Sequence, residues 1–148
     1  MICTRRTVMA LEEVKSELGG KWKLDRSENF DDFLKELGLN IVFRKLASAA
    51  TPTVEFVVED GTIKMISKVS FFNQVLTFDL EKDHVQSFEG SEMKCKTRWE
   101  DGKLITDATP MNEKQKPQSF QRQKVNGELV QTMNVNGIKC IRYFKSCD

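Results

Sequence analysis

The chain has 148 residues, 39% of them hydrophobic, which is enough for one domain with a sizeable core. Its 23 basic and 22 acidic residues leave a formal net charge of +1, a balance that argues against a general nucleic-acid binder. No apolar run approaches the roughly 18 residues that a membrane-spanning helix needs.

Cysteine usage and the N-terminal segment both favour a cytoplasmic protein. The four cysteines are widely spaced, contain no CxxC pair and are not close in sequence to the single histidine. We therefore expect reduced thiols and no zinc site. Near the N-terminus, the charged residues Glu12 and Glu13 occur before the apolar stretch reaches the length of a signal peptide, so we expect no cleavable signal peptide.

The first predicted helix lies in an N-terminal extension. Apolar residues recur with helical spacing over 9–18, ahead of a Gly-Gly pair that would end a helix. We expect 1–17 to precede a main domain at 18–148. Three interpretations of the extension stay open: an isoform addition, a helix against the base of the main domain, or a disordered tail.

Two further helices are predicted close together, at about 29–38 and 41–50. Asn29 can cap the first helix with its side chain, and Gly38 ends it. The second helix ends ahead of Pro52, because the residue before a proline is disfavoured in the helical region. The sequence thus predicts a helical pair joined by a tight corner.

After Pro52 the apolar period becomes two, which is typical of strands. Asp-Gly or Asn-Gly pairs at 60–61, 101–102, 126–127 and 136–137 indicate hairpin turns. The predicted strands cover 54–58, 62–67, 75–80, 92–99, 103–106, 128–135 and 138–144. The polar segment 107–119 contains two prolines and is predicted to be a long exposed loop. Sequential hairpins form an antiparallel meander, and we expect it to close into a barrel, because closure removes exposed edges.

The residue types that usually carry catalysis are sparse. The sequence contains one histidine, no GxSxG or HExxH motif and no phosphate-binding glycine loop. Its paired carboxylates, such as those at 31–32, lie beside predicted helix starts and are interpreted as solvated. The sequence therefore argues against an enzyme and indicates neither a metal nor a cofactor.

The last predicted hairpin has an arginine among apolar residues. Strict alternation places Ile138, Cys140, Arg142 and Phe144 on one face. Periodicity alone leaves two registers open, one with Arg142 inward and one with it facing solvent. An inward guanidinium would need a counter-ion, because an isolated buried charge is very costly. Arg122 is a second candidate, and two such arginines beside an apolar lining would bind the carboxylate of an apolar ligand.

Several short motifs occur in the order found in one known family. They are GKWKL at 20–24, SENFDDF at 27–33, KLA at 45–47, TP at 51–52, SFFN at 70–73, TF at 77–78, WEDGKL at 99–104 and CIRYF at 140–144. The chain resembles the intracellular lipid-binding proteins, the fatty acid-binding protein family, over about 18–145. The resemblance implies an all-β fold, a ten-stranded antiparallel up-and-down barrel capped by a helix-turn-helix lid, here with a short extra N-terminal segment.

The resemblance also implies a carboxylate site. Carried over position by position, it assigns Arg122 and Arg142 to the two family arginines that hold a fatty acid carboxylate, and it implies that Arg142 faces inward. The family's third residue, a tyrosine two positions after the second arginine, is replaced here by Phe144, while Tyr143 lies on the opposite face. This departure removes a hydroxyl donor, so that Arg122 or water would supply more of the hydrogen bonds to the carboxylate.

Further residues are assigned to the cavity and to its entrance by the same resemblance. The residues expected to line the cavity are Phe144, Cys140, Met133, Phe30 and Phe78. Phe33 and Phe71 are expected at the portal. Without the resemblance, ordinary core packing is the preferred interpretation of these aromatic residues.

The expected function is that of a monomeric carrier that moves a long-chain fatty acid or related lipid between membranes, enzymes or the nucleus. The alternatives are a carrier of retinoids or other hydrophobic ligands, and a lipid chaperone that delivers its ligand to a nuclear receptor. Lys35, Arg44 and Lys45 on the predicted lid are open to two interpretations, a nuclear-import signal or a basic face that contacts anionic membranes. A nucleic-acid partner is not expected, and a lipid-processing enzyme is a remote alternative.

Overall fold

The computed structural model describes residues 4–69, 72–88, 91–112 and 115–147; Phe71, expected at the portal, lies outside them. The helices and strands in chain order are α1 (Arg5–Leu18), β1 (Gly20–Glu28), α2 (Phe30–Glu36), α3 (Ile41–Ala49), β2 (Thr53–Glu59), β3 (Thr62–Val69), β4 (Phe72–Phe78), β5 (His84–Phe88), β6 (Ser91–Glu100), β7 (Lys103–Pro110), β8 (Gln118–Val125), β9 (Glu128–Val135) and β10 (Ile138–Ser146). No helix among these residues is long and apolar enough to span a membrane.

The ten strands form one antiparallel sheet that curves into a nearly closed barrel. Each strand pairs with its neighbours in the chain, except that β1 pairs with both β2 and β10, while β4 and β5 are the two ends of the sheet. At that junction the Gln86 side-chain amide donates to the Thr77 carbonyl oxygen at 3.2 Å. The predicted ten-stranded antiparallel barrel with a helix-turn-helix lid is confirmed.

The lid consists of α2 and α3, and α2 packs against β9 and β10. The prediction that the Asn29 side chain caps α2 is wrong: Asn29 has a left-handed backbone, with φ 61°, and makes no capping bond. Its side-chain amide instead donates to the Lys139 carbonyl oxygen at 3.0 Å, which ties the start of the lid to β10. The cap of α3 is Asn40, whose Oδ1 accepts from the Phe43 amide at 2.9 Å. Gly38, with φ 89°, makes the corner.

Helix α1 packs against the barrel and is longer than its apolar pattern indicated. Thr4 caps it, since its Oγ1 accepts from the Thr7 amide at 3.1 Å. The buried side chains of Leu11, Val14 and Leu18 join a core cluster with residues of β1–β4, β7, β9 and β10. The Trp22 indole also donates to the Leu18 carbonyl oxygen at 2.9 Å. Among the three interpretations left open for the extension, the structure agrees with a helix that packs against the main domain.

The strand predictions need several corrections. β1, β5 and β8 are absent from the predicted strands: most side chains of β1 are exposed and polar, β5 is only five residues long, and polar residues such as Arg122 occupy buried positions of β8. The polar segment 107–119 is not one long loop: β7 continues to Pro110 and β8 begins at Gln118. Alternate residues of both strands are buried even where the sequence is polar, as with Gln118 and Arg122.

Candidate functional site

A cavity of about 470 Å³ lies beneath the lid. Its walls come from α3, from β2–β4 and from β9 and β10, and most of the lining is apolar. The lining residues are Phe30, Phe43, Leu46, Ala47, Ala50, Pro52, Val54, Met65, Ser67, Val69, Gln74, Gln131, Arg142 and Phe144. Its volume falls in the range of roughly 300–1,000 Å³ that is usual for small-molecule sites.

Arg142 is the charged residue of this lining. Its guanidinium carbon lies 3.9 Å from the centroid of the Phe30 ring, and its Nε donates to Ser27 Oγ at 3.1 Å. No carboxylate of the described residues lies within ion-pair distance of it. Burial lowers the pKa of Arg142 to about 10, so the group remains a cation at neutral pH.

Arg122 is a second cation, and it is 3% exposed. Its Nε donates to Gln131 Oε1 at 2.8 Å, and its guanidinium carbon lies 5.2 Å from the Phe78 ring centroid and 5.4 Å from that of Phe120. Nη1 has no hydrogen-bond partner among the described residues. Burial lowers the pKa of Arg122 to about 10. A buried cation without an anion is costly, and a bound anion would remove that cost.

Gln131 connects the two arginines, and it was not singled out from the sequence. It is the cross-strand partner of Arg122 in the β8–β9 ladder and of Arg142 in the β9–β10 ladder. Directly opposed residues have Cβ atoms about 5 Å apart, so the three side chains form a row on the inner face. The sequence does contain a signal for Gln131, because counting residues outward from the turns at 126–127 and 136–137 places it opposite Arg122 and opposite Arg142.

The residues expected to line the cavity fall into two groups. Phe30 and Phe144 border the cavity. Cys140, Met133 and Phe78 are buried within the two packed core clusters and do not belong to its lining. Their roles toward a ligand stay predictions.

Of the two portal residues, Phe33 is 3% exposed and packs with the core cluster below the lid. Phe71 lies outside the described residues. The portal assignment therefore stays a prediction.

Two of the cysteines, Cys95 and Cys140, are fully buried on the inner side of the barrel wall. Burial raises the pKa of both thiols to about 11. The thiolate, which is the nucleophile and metal ligand, is therefore scarce at neutral pH. These side chains act as small apolar packing groups.

The three basic lid residues differ in their surroundings. Arg44 Nε lies 3.0 Å from Asp31 Oδ1, and Arg44 Nη1 donates to the Leu39 carbonyl oxygen at 2.9 Å. Its side chain therefore holds α3 against α2. Lys35 and Lys45 are exposed.

Helix α3 has no buried residue, and its exposed apolar side chains were missed from the sequence. They are Ile41, Val42, Phe43 and Leu46. Apolar residues at helical spacing usually face a core, whereas on α3 such residues stay exposed. Phe43 and Leu46 also line the inner cavity, so the apolar residues of α3 that are exposed outside its lining are Ile41 and Val42, together with the basic Lys35 and Lys45 of the lid.

The barrel, the lid and the paired inner arginines define a protein with an internal binding cavity. The chain belongs to the lipocalin / cytosolic fatty-acid binding protein family, whose model matches residues 19–146. It is 33% identical over 131 residues to a fatty acid-binding protein of Tyrophagus putrescentiae, covering 87% of this chain and 97% of that protein. It is 32% identical over 130 residues to cellular retinoic acid-binding protein 2 of Mus musculus, covering 84% of this chain and 94% of that protein.

Among solved structures, the chain is similar to apo lipid binding protein 8 of Caenorhabditis elegans, with a TM-score of 0.83 and 26% identity. That match covers 99% of this chain and 100% of the other, so it extends into α1, which the family model leaves out. The family resemblance drawn from the sequence motifs is confirmed.

Proposed function

We propose that the protein is a carrier of a long-chain fatty acid or a closely related anionic lipid. The observation that carries the proposal is Arg122, a fully buried cation with no anionic partner among the described residues, linked through Gln131 to an apolar cavity. A ligand with an acyl chain and a carboxylate would supply both the apolar surface and the anion. Arg142 offers a second guanidinium on the same inner face.

The energetics suit a carrier whose affinity is mainly apolar. About 16 methylenes at about 0.8 kcal/mol each contribute on the order of 13 kcal/mol when they leave water. Ordering the ligand and the lid offsets part of this gain. The arginines then determine the orientation of the ligand and the choice of head group, because charge-assisted hydrogen bonds are strong and directional.

Native mass spectrometry of the purified protein, followed by denaturing extraction of its lipid, tests the proposal. We expect long-chain fatty acids to be released, and we expect the delipidated protein to bind a fluorescent fatty acid. A protein with no extractable lipid and no fluorescent response would refute the carrier function. The same experiment tests the second candidate, a retinoid carrier, which the similarity to the retinoic acid-binding protein favours. Recovery of a retinoid would establish that candidate.

The lid supplies the proposed contact with membranes. Ile41 and Val42 on α3 are exposed outside the cavity lining, as are the lid residues Lys35 and Lys45, a combination suited to the surface of an anionic bilayer. We expect Lys35→Glu with Lys45→Glu to slow the transfer of a fluorescent fatty acid to anionic vesicles. Lys23→Glu with Lys139→Glu, on exposed positions of the barrel wall, is the matched control and should transfer normally. Equal rates for both pairs would refute the contact.

Nuclear entry and delivery to a nuclear receptor belong to the same proposal and depend on the same cluster. Arg44 also holds the two lid helices together, so its replacement would disturb the lid as well as the charge. The test is therefore to image the location in cells of the Lys35→Glu, Lys45→Glu variant, with Arg44 kept, with and without lipid. Nuclear accumulation unaffected by the charge reversal would exclude a signal at these two lysines.

We propose that the ligand leaves unchanged and that the carrier acts as a monomer in the cytoplasm. The two cysteine thiols of the inner wall are held neutral by burial, which does not suit covalent catalysis. Incubation with fatty acids and with fatty acyl esters should give no product by mass spectrometry. Any turnover would refute the carrier-only function, and sedimentation analysis with and without lipid tests the monomer.

A further inference from the structure

A second cavity, of about 430 Å³, lies beside the first and opens between the barrel wall and the lid. We call it the side cleft; it is lined by residues 24–27 of β1, by residues 48–51 at the end of α3, and by Phe30 and Arg142. The register of β1 against β10 shifts between Leu24 and Arg26, and this irregularity lies at the cleft. The cleft reaches solvent, because most of its lining residues from β1 and α3 are exposed.

Arg142 borders both the inner cavity and the side cleft, as does Phe30, which stacks on its guanidinium. The lining of the inner cavity is mainly apolar, whereas that of the side cleft includes the hydroxyls of Ser27, Ser48 and Thr51. A cation thus separates an apolar chamber from a polar one. A plain fatty acid ends at its carboxylate and would leave the polar chamber unused.

The remaining charges of the side cleft are already paired with each other. Arg26 lies 2.8 Å from Asp25 and 2.8 Å from Glu128. Among the described residues, Arg142 has no carboxylate partner, so it is the cation left for a ligand. A ligand that fills both chambers would therefore carry one anion in its middle, an apolar chain on one side and a polar group on the other.

We propose that the protein binds single-chain phosphodiester lipids, the lysophospholipids, with the phosphate on Arg142 and the polar head group in the side cleft. A phosphodiester is a monoanion that is substituted on both sides, and its oxygens match a guanidinium in paired hydrogen bonds. The acyl chain occupies the inner cavity as proposed for a fatty acid. The proposal rests on the carrier function and names a class of ligand for it.

Displacement of a fluorescent fatty acid tests the proposal, with palmitate and a 16-carbon lysophosphatidylethanolamine as competitors below the concentration at which micelles form. The wild-type protein should bind both. Ser48→Trp fills the side cleft but not the inner cavity, and it should weaken lysophospholipid binding about tenfold through the lost head-group contacts while palmitate binding is retained. Lys23→Trp, at an exposed position of β1 outside both linings, is the matched control and should bind both as the wild type does.

Retained palmitate binding shows that a variant is folded. If Ser48→Trp does not fold, Ala49→Trp, which fills the same cleft, takes its place. Palmitate binding without lysophospholipid binding in the wild type would overturn this proposal and leave the carrier function intact. Equal lysophospholipid affinity in the wild type and in the cleft-filling variant would overturn it as well. Failure of the wild type to bind either lipid would refute the carrier function itself.

Discussion

Replacing Arg122 with methionine separates the two effects of a buried cation, its cost to the empty protein and its benefit to a bound anion. Burial lowers the pKa of Arg122 to about 10. At about 1.4 kcal/mol for each tenfold change in proton affinity, holding the charge costs on the order of 3 kcal/mol. Arg122→Met removes this cost but leaves Gln131 Oε1 without its donor, at about 1–2 kcal/mol. We expect the delipidated variant to be more stable than the wild type by about 1–2 kcal/mol.

Fatty acid binding should change in the opposite direction. Hydrogen bonds to charged groups contribute about 1.5–3 kcal/mol each, so affinity should fall by about 10- to 100-fold. Urea unfolding of delipidated protein measures the stability, and displacement of a fluorescent fatty acid measures the affinity. Lys124→Met makes a similar change at an exposed position of β8 and should alter both quantities little. A less stable Arg122→Met protein with unchanged affinity would refute the reasoning and make Arg122 a purely structural residue.

Three further predictions follow from burial. Leu18→Ala should lower the free energy of unfolding by about 2–5 kcal/mol, because Leu18 is fully buried. Val8→Ala, on the exposed side of α1, should change it by less than about 0.5 kcal/mol. Equal losses would mean that α1 is not part of the cooperative core. Desolvation lowers the pKa of His84 from 6.5, so the unfolded chain binds the proton first and stability falls as the pH drops through about 6.5. His84→Gln should therefore flatten the loss of stability between about pH 7.5 and 5.5 in urea unfolding, and an unchanged pH slope would contradict this. Phe144→Tyr adds a phenol on the face of Arg142 and should tighten fatty acid binding about threefold to tenfold; unchanged affinity would place the carboxylate away from Arg142.

The turn residues of the sequence carry most of the predictable part of the fold. Asn-Gly and Asp-Gly pairs favour two-residue hairpins, and each such turn determines which residues of its two strands face each other. The turns at 126–127 and 136–137 suffice to place Arg122, Gln131 and Arg142 in one row. Where no such turn occurs, as at β5, a short strand was missed.

Other features depended on contacts between distant segments and had no local signal. Asn29 precedes an acidic first turn, as a helix cap often does, yet its side chain donates to a carbonyl of β10 that is 110 residues away in the sequence. The side cleft arises where an irregularity in β1 meets the end of α3. Periodicity also could not show that α3 stays uncovered, because an apolar stripe has the same spacing on a buried helix and on a lid.

The separation of the two arginines has a consequence for how the carrier selects its ligand. Arg122 is 3% exposed, lies near two aromatic rings and belongs to neither cavity lining, whereas Arg142 borders both the inner cavity and the side cleft. We expect a terminal carboxylate in the inner cavity to lie beside Gln131, between the two guanidiniums, and we expect a bulky head group to keep the phosphate on Arg142. The two cations therefore distinguish ligands by the size of the group beyond the anion. Lysophospholipid affinity should accordingly change little in Arg122→Met, whereas palmitate affinity should fall by about 10- to 100-fold.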